Sequence, residues 1–278
     1  TTFDELIRIS GLSHGTDVWL GNAQTLIEDG TVTLQDAICC RDDIMIYLIK
    51  MGLEPNKAFK IMETVRKGKA LKDPEKWEGF KAAMKEKDVP DWYIKSCEKI
   101  KYMFPKAHAA AYVTNAFRIA WFKVHEPKAY YTAYFTIRAD EFDSDIMCHG
   151  EERVKNKMKE IDLAGNGATT KDKNMYAILE LVMEMYERGI NFLPIDLYKS
   201  HSTKFRIEED GIRPPLNSIP GLGTVAAEGI EEAKKDGKFM SIDDLKIRSK
   251  VGKSVVELLD KAGCLKGMSQ SNQMSLFG

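Results

Sequence analysis

Ile219-Pro220-Gly221-Leu222-Gly223-Thr224, followed by the run Val225 to Lys235, is the stretch that decides how this chain is built. Glycines one residue apart permit positive φ and leave no side chain in the way, so the backbone can turn tightly and enter a helix at once. The first N–H groups of that helix then face outward without an intrahelical partner, at the place where an anion would sit. A hairpin of this kind can hold a phosphate through its backbone without reading a base sequence.

A second hairpin follows at Val251-Gly252-Lys253-Ser254, between helices expected over Ser241 to Arg248 and Ser254 to Gly263. It has one glycine and is the more degenerate copy, but Lys250, Lys253 and Lys261 surround it with positive charge. The two together have the form of a tandem helix-hairpin-helix unit that grips duplex DNA. Gly221, Gly223, Thr224, Gly252, Lys253 and Ser254 are the candidate contacts.

With 278 residues, 44% of them hydrophobic, the chain can bury a sizeable core and is expected to form two domains. It holds no apolar run long enough to span a bilayer, and its first residues lack a basic-then-apolar leader pattern, so the cytoplasm is the expected compartment. Five cysteines, Cys39, Cys40, Cys97, Cys148 and Cys264, are odd in number and form no CxxC pair. That usage fits free thiols rather than a disulfide frame or a zinc site. A first residue Thr1 in place of Met suggests a piece of a longer polypeptide.

The net charge of −1 conceals a strong segregation. Residues 1–56 carry 3 basic and 9 acidic side chains, whereas residues 57–138 carry 18 basic and 9 acidic, with Trp77, Trp92, Tyr93, Tyr102, Phe104, Tyr112 and Trp121 among them. Basic and aromatic side chains together suit a ligand that bears phosphates and stacks bases. Residues 139–218 return to 11 against 16, and residues 219–278 to 9 against 8.

Helical periodicity dominates the first half. Asp4 to Ile9 reads as a helix stopping at Ser10-Gly11, with a polar loop at 12–16 and Asp17 capping the next helix. Thr33 is expected to cap a helix over 34–39. Helices are also expected over 44–51, 56–67, 92–103 and 130–138, while Ala70 to Lys87 reads as a lysine-rich surface insertion. Helices over 146–163 and 171–188 and short strands at 190–195, 205–207 and 215–219 complete the pattern.

Tyr102-Met103-Phe104-Pro105-Lys106-Ala107-His108 sets cations and rings where a helix begins. Phosphates can meet Lys106 and the helix N-terminus, and Tyr102, Phe104 or Tyr112 offer faces to a base, with His108 and Tyr112 four apart on one face. Paired carboxylates able to hold two metal ions for nucleotidyl transfer are missing: Asp143-Ser144-Asp145 reads as a helix cap, and Asp42 and Asp43 diverge on a helix. At the other end a small polar run leads to Gln273-Met274-Ser275-Leu276-Phe277. This pentapeptide resembles the sliding-clamp-binding motif of bacterial replication proteins.

Phe104 to Tyr112, the loop Ile9 to Thr16, Cys40-Arg41-Asp42-Asp43-Ile44-Met45, the hairpin Ile219 to Thr224 and the terminal Gln273 to Phe277 stand in the order found in the C-terminal part of PolC-type DNA polymerase III α subunits. The resemblance covers essentially the whole chain. It implies fingers over 1–138, a duplex-binding domain over 139–265 and a clamp-binding tail over 266–278. The fold class is then mainly α with a small α+β C-terminal domain, helical fingers followed by a tandem helix-hairpin-helix domain. It further implies that Arg41, Arg66, Lys106 and His108 meet the triphosphate of the incoming dNTP. Ser10, Tyr102 and Phe104 would line the base side, a pocket that also admits anilinouracil inhibitors mimicking dGTP. Clamp contacts fall to Gln273, Met274, Leu276 and Phe277. Mg2+ would be held by carboxylates of a palm domain outside this chain, leaving no catalytic or metal-binding residue within it. The alternative class is a non-catalytic helix-hairpin-helix DNA-binding or repair module with a clamp ligand.

Overall fold

The computed structural model describes residues 2–138 and 141–271. These are mainly helical, with one two-stranded antiparallel sheet among them, and the chain divides into two compact units, Thr1–Ala120 and Trp121–Gly278.

The first unit contains α1 (Phe3–His14), α2 (Gln24–Glu28), α3 (Arg41–Lys50), α4 (Pro55–Arg66), α5 (Pro74–Lys85), α6 (Asp91–Lys99) and the greater part of α7 (Lys106–His125). Thr2 and Glu5 start α1 with a reciprocal capping box, Thr2 N donating to Glu5 Oε2 at 2.7 Å and Glu5 N to Thr2 Oγ1 at 3.3 Å. The helix does not stop at Ser10-Gly11 as the sequence pattern suggests. A Cβ at Gly11 would lie 2.7 Å from the Cys39 carbonyl oxygen, so this glycine admits a close approach of backbone to backbone. Asp17 has a φ of +56° and caps no helix. The helix expected over 34–39 is a turn and an extended stretch instead. There the Asp43 carboxylate accepts from the N–H groups of Cys39 at 3.1 Å and Cys40 at 2.9 Å, which fixes the approach to α3.

One apolar cluster joins Ile44 and Leu48 of α3, Ile61 and Val65 of α4, Trp77, Phe80 and Met84 of α5, and Tyr93 and Ile94 of α6. The lysine-rich segment is therefore no surface insertion: Trp77 is 2% exposed and donates its Nε1–H to Glu98 at 2.8 Å. Tyr93, 1% exposed, stacks on Tyr47 with ring centres 4.2 Å apart. Two aromatics of the basic block thus serve the core and offer no face to a ligand.

The second unit contains α8 (Pro127–Arg138), α9 (Ser144–Met147), α10 (Glu151–Ala164), α11 (Thr170–Glu187), β1 (Arg206–Glu208), β2 (Gly211–Arg213), α12 (Thr224–Ala233), α13 (Ile242–Ser249) and α14 (Lys253–Lys261). Tyr131 and Phe135 of α8 join Met147, Leu179, Val182 and Phe192 in one apolar cluster, so residues 127–138 pack with this unit. The helix expected over 146–163 is interrupted at Gly150, whose φ is +93°. In the sheet Arg206 faces Arg213 and Glu208 faces Gly211, with an isolated bridge from Phe192 to Ile212. Residues 215–219 form no strand. Leu216–Ser218 is a 3-10 turn in which Ser218 Oγ donates to the Pro215 carbonyl at 2.6 Å. A second cluster, Leu216, Ile219, Leu222, Ile230, Leu245 and Leu259, fastens this turn to α12, α13 and α14. Cys39, Cys40 and Cys97 are buried free thiols.

Candidate functional site

Within the first unit the segment 101–106 runs as a strap past three helix ends. Thr16 N donates to the Tyr102 carbonyl at 2.9 Å, Met103 N to the Arg66 carbonyl at the end of α4 at 3.4 Å, and Arg41 N to the Phe104 carbonyl at 3.2 Å. Lys106 N then donates to the Asp42 carboxylate at 2.7 Å. These four hydrogen bonds, three between backbone groups and one from backbone to carboxylate, bring Tyr102, Phe104 and Lys106, predicted from one short segment, up to Arg41 and Arg66, which lie on separate helices.

The side chains differ in readiness. Tyr102 is exposed, and a ladder of rings continues from His14 to Phe104 at 4.9 Å, Phe104 to His108 at 5.2 Å and His108 to Tyr112 at 4.9 Å. Arg66 is held by Glu63, with its Nη2 at 2.9 Å from Glu63 Oε2, and this pairing raises the guanidinium pKa. Lys106 Nζ lies 3.7 Å from Asp4 Oδ1 and 3.8 Å from Asp43 Oδ1. The Arg41 Nε is buried and has no hydrogen-bond partner among the described residues, its nearest carboxylate oxygen, on Asp42, being 3.8 Å away. An uncompensated guanidinium nitrogen is costly unless something supplies an acceptor. Ser10 lies within α1, its carbonyl accepting from Ser13 Oγ at 3.0 Å.

Sequence reasoning gave no role to His14, whose ring lies against Phe104, nor to Asp42 as a cap. An acidic residue in the first turn of α3 is ordinarily credited to its own helix. Here it caps α7 and occupies the place offered to phosphate by that helix's first N–H. Of the alanines after Lys106, Ala109 serves close packing, fully buried beside Ile7 of α1 and Cys40, while Ala107 and Ala111 are exposed.

In the second unit Gly221 has a φ of +86°, and a Cβ there would meet Leu258 Cδ1 at 3.3 Å. Gly223 is the N-cap of α12 with a φ of −70°, and a Cβ on it would meet nothing within 4 Å. The first glycine is needed by the turn, whereas the second keeps open the space before the helix N-terminus. Thr224 opens α12. Gly252 caps α14, Lys250 just before it has a φ of +55°, and Lys253 and Ser254 are exposed in the first turn. α12 and α13 come close at Gly229, where a Cβ would lie 2.9 Å from the Ser249 carbonyl oxygen. Arg248 ties the hairpin behind, donating to Gly237 at 3.0 Å and to the Ala233 carbonyl, with its guanidinium 4.6 Å from the Phe239 ring centre.

Among the described residues, the adjacent and DxD-spaced aspartates do not form a metal pair. Asp143 accepts from Ile146 N at 3.2 Å as the cap of α9, Asp145 is bound to Lys261 Nζ at 3.0 Å, and Asp42 and Asp43 are engaged with separate backbone groups. Among the described residues no helix is long and apolar enough to cross a membrane. Gln273, Met274, Leu276 and Phe277 lie outside the described residues.

A family model described as the bacterial DNA polymerase III alpha subunit finger domain matches residues 1–88, and one described as a helix-hairpin-helix motif matches residues 189–275. A DNA polymerase III PolC-type of Clostridium perfringens is 58% identical over 277 residues, 100% of this chain and 19% of that protein. Those of Bacillus subtilis (57%) and Caldanaerobacter subterraneus (55%) align over the same shares. The chain is thus similar along its whole length to a segment of PolC-type DNA polymerases III, with one stretch matching the finger-domain model and another the helix-hairpin-helix model. It spans about a fifth of the length of the curated relatives it matches, 19%.

Proposed function

We propose that this chain supplies incoming-nucleotide positioning, duplex grip and clamp tethering to a replicative DNA-directed DNA polymerase working in the bacterial cytoplasm. In this proposal the fingers extend over residues 1–138, their last helix α8 packing with the second compact unit, and are followed by a tandem helix-hairpin-helix domain over 139–265 and a tail over 266–278. The observation that carries the reading is the strap, which gathers Tyr102, Phe104 and Lys106 beside Arg41, whose buried Nε lacks an acceptor.

In this reading Arg41, Arg66, Lys106 and His108 bind the dNTP triphosphate, an anion that displaces the carboxylates now beside Lys106. Ser10, Tyr102 and Phe104 line the base side, and anilinouracil mimics of dGTP take the same place. Gly221, Gly223 and Thr224, with Gly252, Lys253 and Ser254, hold phosphates of the primer-template duplex without base readout. Gln273, Met274, Leu276 and Phe277 dock on the sliding clamp. Mg2+ is held by palm carboxylates elsewhere in the enzyme, since Asp42, Asp43, Asp143 and Asp145 are engaged in caps and an ion pair.

The test is steady-state kinetics of the complete polymerase. Lys106→Ala and His108→Ala should raise the dNTP concentration needed for half-maximal rate while leaving primer-template affinity close to wild type. A normal nucleotide dependence with weakened primer-template binding would move this segment to the duplex path.

A further inference from the structure

We infer that the groove on the outer side of the strap carries the unpaired 5′ overhang of the template strand. The inference rests on the polymerase reading above and adds a single-stranded nucleic acid to its partners.

The groove, about 490 Å³, lies in the first unit between the loop at Asp17 and Leu20, the segment Gly68 to Lys72 after α4, and residues 98–101 at the end of α6. Its frame is built. A Cβ at Gly68, whose φ is +62°, would lie 2.9 Å from Lys101 Cα, so the two backbones meet directly at that point. Lys99 Nζ reaches the Gly21 carbonyl at 2.7 Å and closes the far wall.

Two leucines stand out of this frame into solvent: Leu20 is 74% exposed and Leu71 67%. A pair of large apolar side chains in a lysine-rich rim covers no part of the described core. Exposed aliphatic side chains between cations offer unpaired bases apolar contact and the phosphate backbone positive charge. The acidic groups nearby are already occupied, Asp17 by Lys101 at 2.6 Å and Glu98 by Trp77 and Lys81. Lys69 and Lys72 are exposed and have no acidic partner among the described residues, so the rim is left positive. Position agrees with charge. Gly68 follows Arg66 by two residues and Lys101 precedes Tyr102, so a strand in the groove would pass directly behind the side chains proposed to hold the incoming nucleotide.

The experiment uses the complete polymerase with Leu71 replaced by the photoreactive benzoylphenylalanine, bound to a primer-template with a long 5′ template overhang. We expect a cross-link to the overhang that vanishes when the template is trimmed flush with the primer. In parallel, Lys69→Glu with Lys72→Glu should lower the slope of log affinity against log salt for the overhang substrate by about 1.4, two contacts at roughly 0.7 each, and leave the blunt duplex unaffected. A cross-link to the duplex, or to another part of the polypeptide, overturns the inference. So does an unchanged salt slope, or an enzyme that extends primers normally yet yields no overhang cross-link. An enzyme that extends no primer before any substitution overturns the polymerase reading, and the groove falls with it.

Discussion

The Asp42 carboxylate accepts the backbone N–H of Lys106 at 2.7 Å, so the first turn of α3 caps the first turn of α7. This bond holds the end of the strap and places the Lys106 side chain between Asp4 and Asp43. Removing it by Asp42→Ala should cost about 1 kcal/mol of stability, the usual worth of a helix cap, and Asp42→Asn should recover most of the loss. Urea unfolding monitored by circular dichroism decides between this and a surface carboxylate of no consequence, for which both variants would match the wild type.

Trp77 turns the lysine-rich segment into core. Its truncation to alanine should cost about 3–5 kcal/mol, since the ring is buried and Glu98 would lose its indole donor. A shift of less than about 0.5 kcal/mol in the urea midpoint analysis is what a surface insertion would give.

Glu63 makes stability depend on acid. Hydrogen bonds from Arg66 first, then Lys67, pull its carboxyl from an ordinary 4.5 to about 2. The folded chain therefore releases this proton more readily than the unfolded chain, and the contribution is complete above about pH 4.5 and drains away as the pH falls toward about 2. Unfolding free energies measured across that window should fall more steeply for the wild type than for Glu63→Gln. Parallel curves would show that the ion pair is formed equally in the unfolded chain.

The two glycines of the hairpin should separate folding from binding. Gly221→Val forces a β-branched residue to a φ of +86° with its Cβ against Leu258, so the fold itself should weaken. Gly223→Leu has free space and an ordinary φ, and costs at most about 1 kcal/mol as a poorer N-cap. It should nonetheless cost roughly 1–3 kcal/mol in duplex affinity, whatever the base sequence, by filling the ground before the helix N-terminus. Fluorescence anisotropy with two unrelated duplexes tests this, and an undiminished affinity of folded Gly223→Leu would remove the hairpin from the DNA path.

Much of this architecture was legible because it is local. The turn at Gly221 and Gly223, the cap at Gly252 and the helix opening after Pro105 each follow from a few neighbouring residues. What escaped was decided at a distance. Gly11 looks like a helix stop until Cys39 is seen against it, and 34–39 looks helical until Asp43 takes its N–H groups. Trp77 among lysines reads as surface because the leucines and isoleucines of the cluster it joins come from other segments of the chain. The compact units part after Ala120, a limit set by where Tyr131 and Phe135 find their neighbours rather than by any break in composition. The cation and ring types of the strap were visible, but only the hydrogen bonds across the strap explain why Arg41 stands beside it.

Those four bonds also set how the region opens. The amides of Thr16, Arg41, Met103 and Lys106 belong to a loop, two helix starts and the strap itself, yet each is bonded across 101–106 or its immediate anchors. None can exchange its hydrogen with solvent until the strap lifts, so in heavy water they should lose protection together, at one common rate, as a single cooperative unit. A region built this way would not loosen one helix at a time.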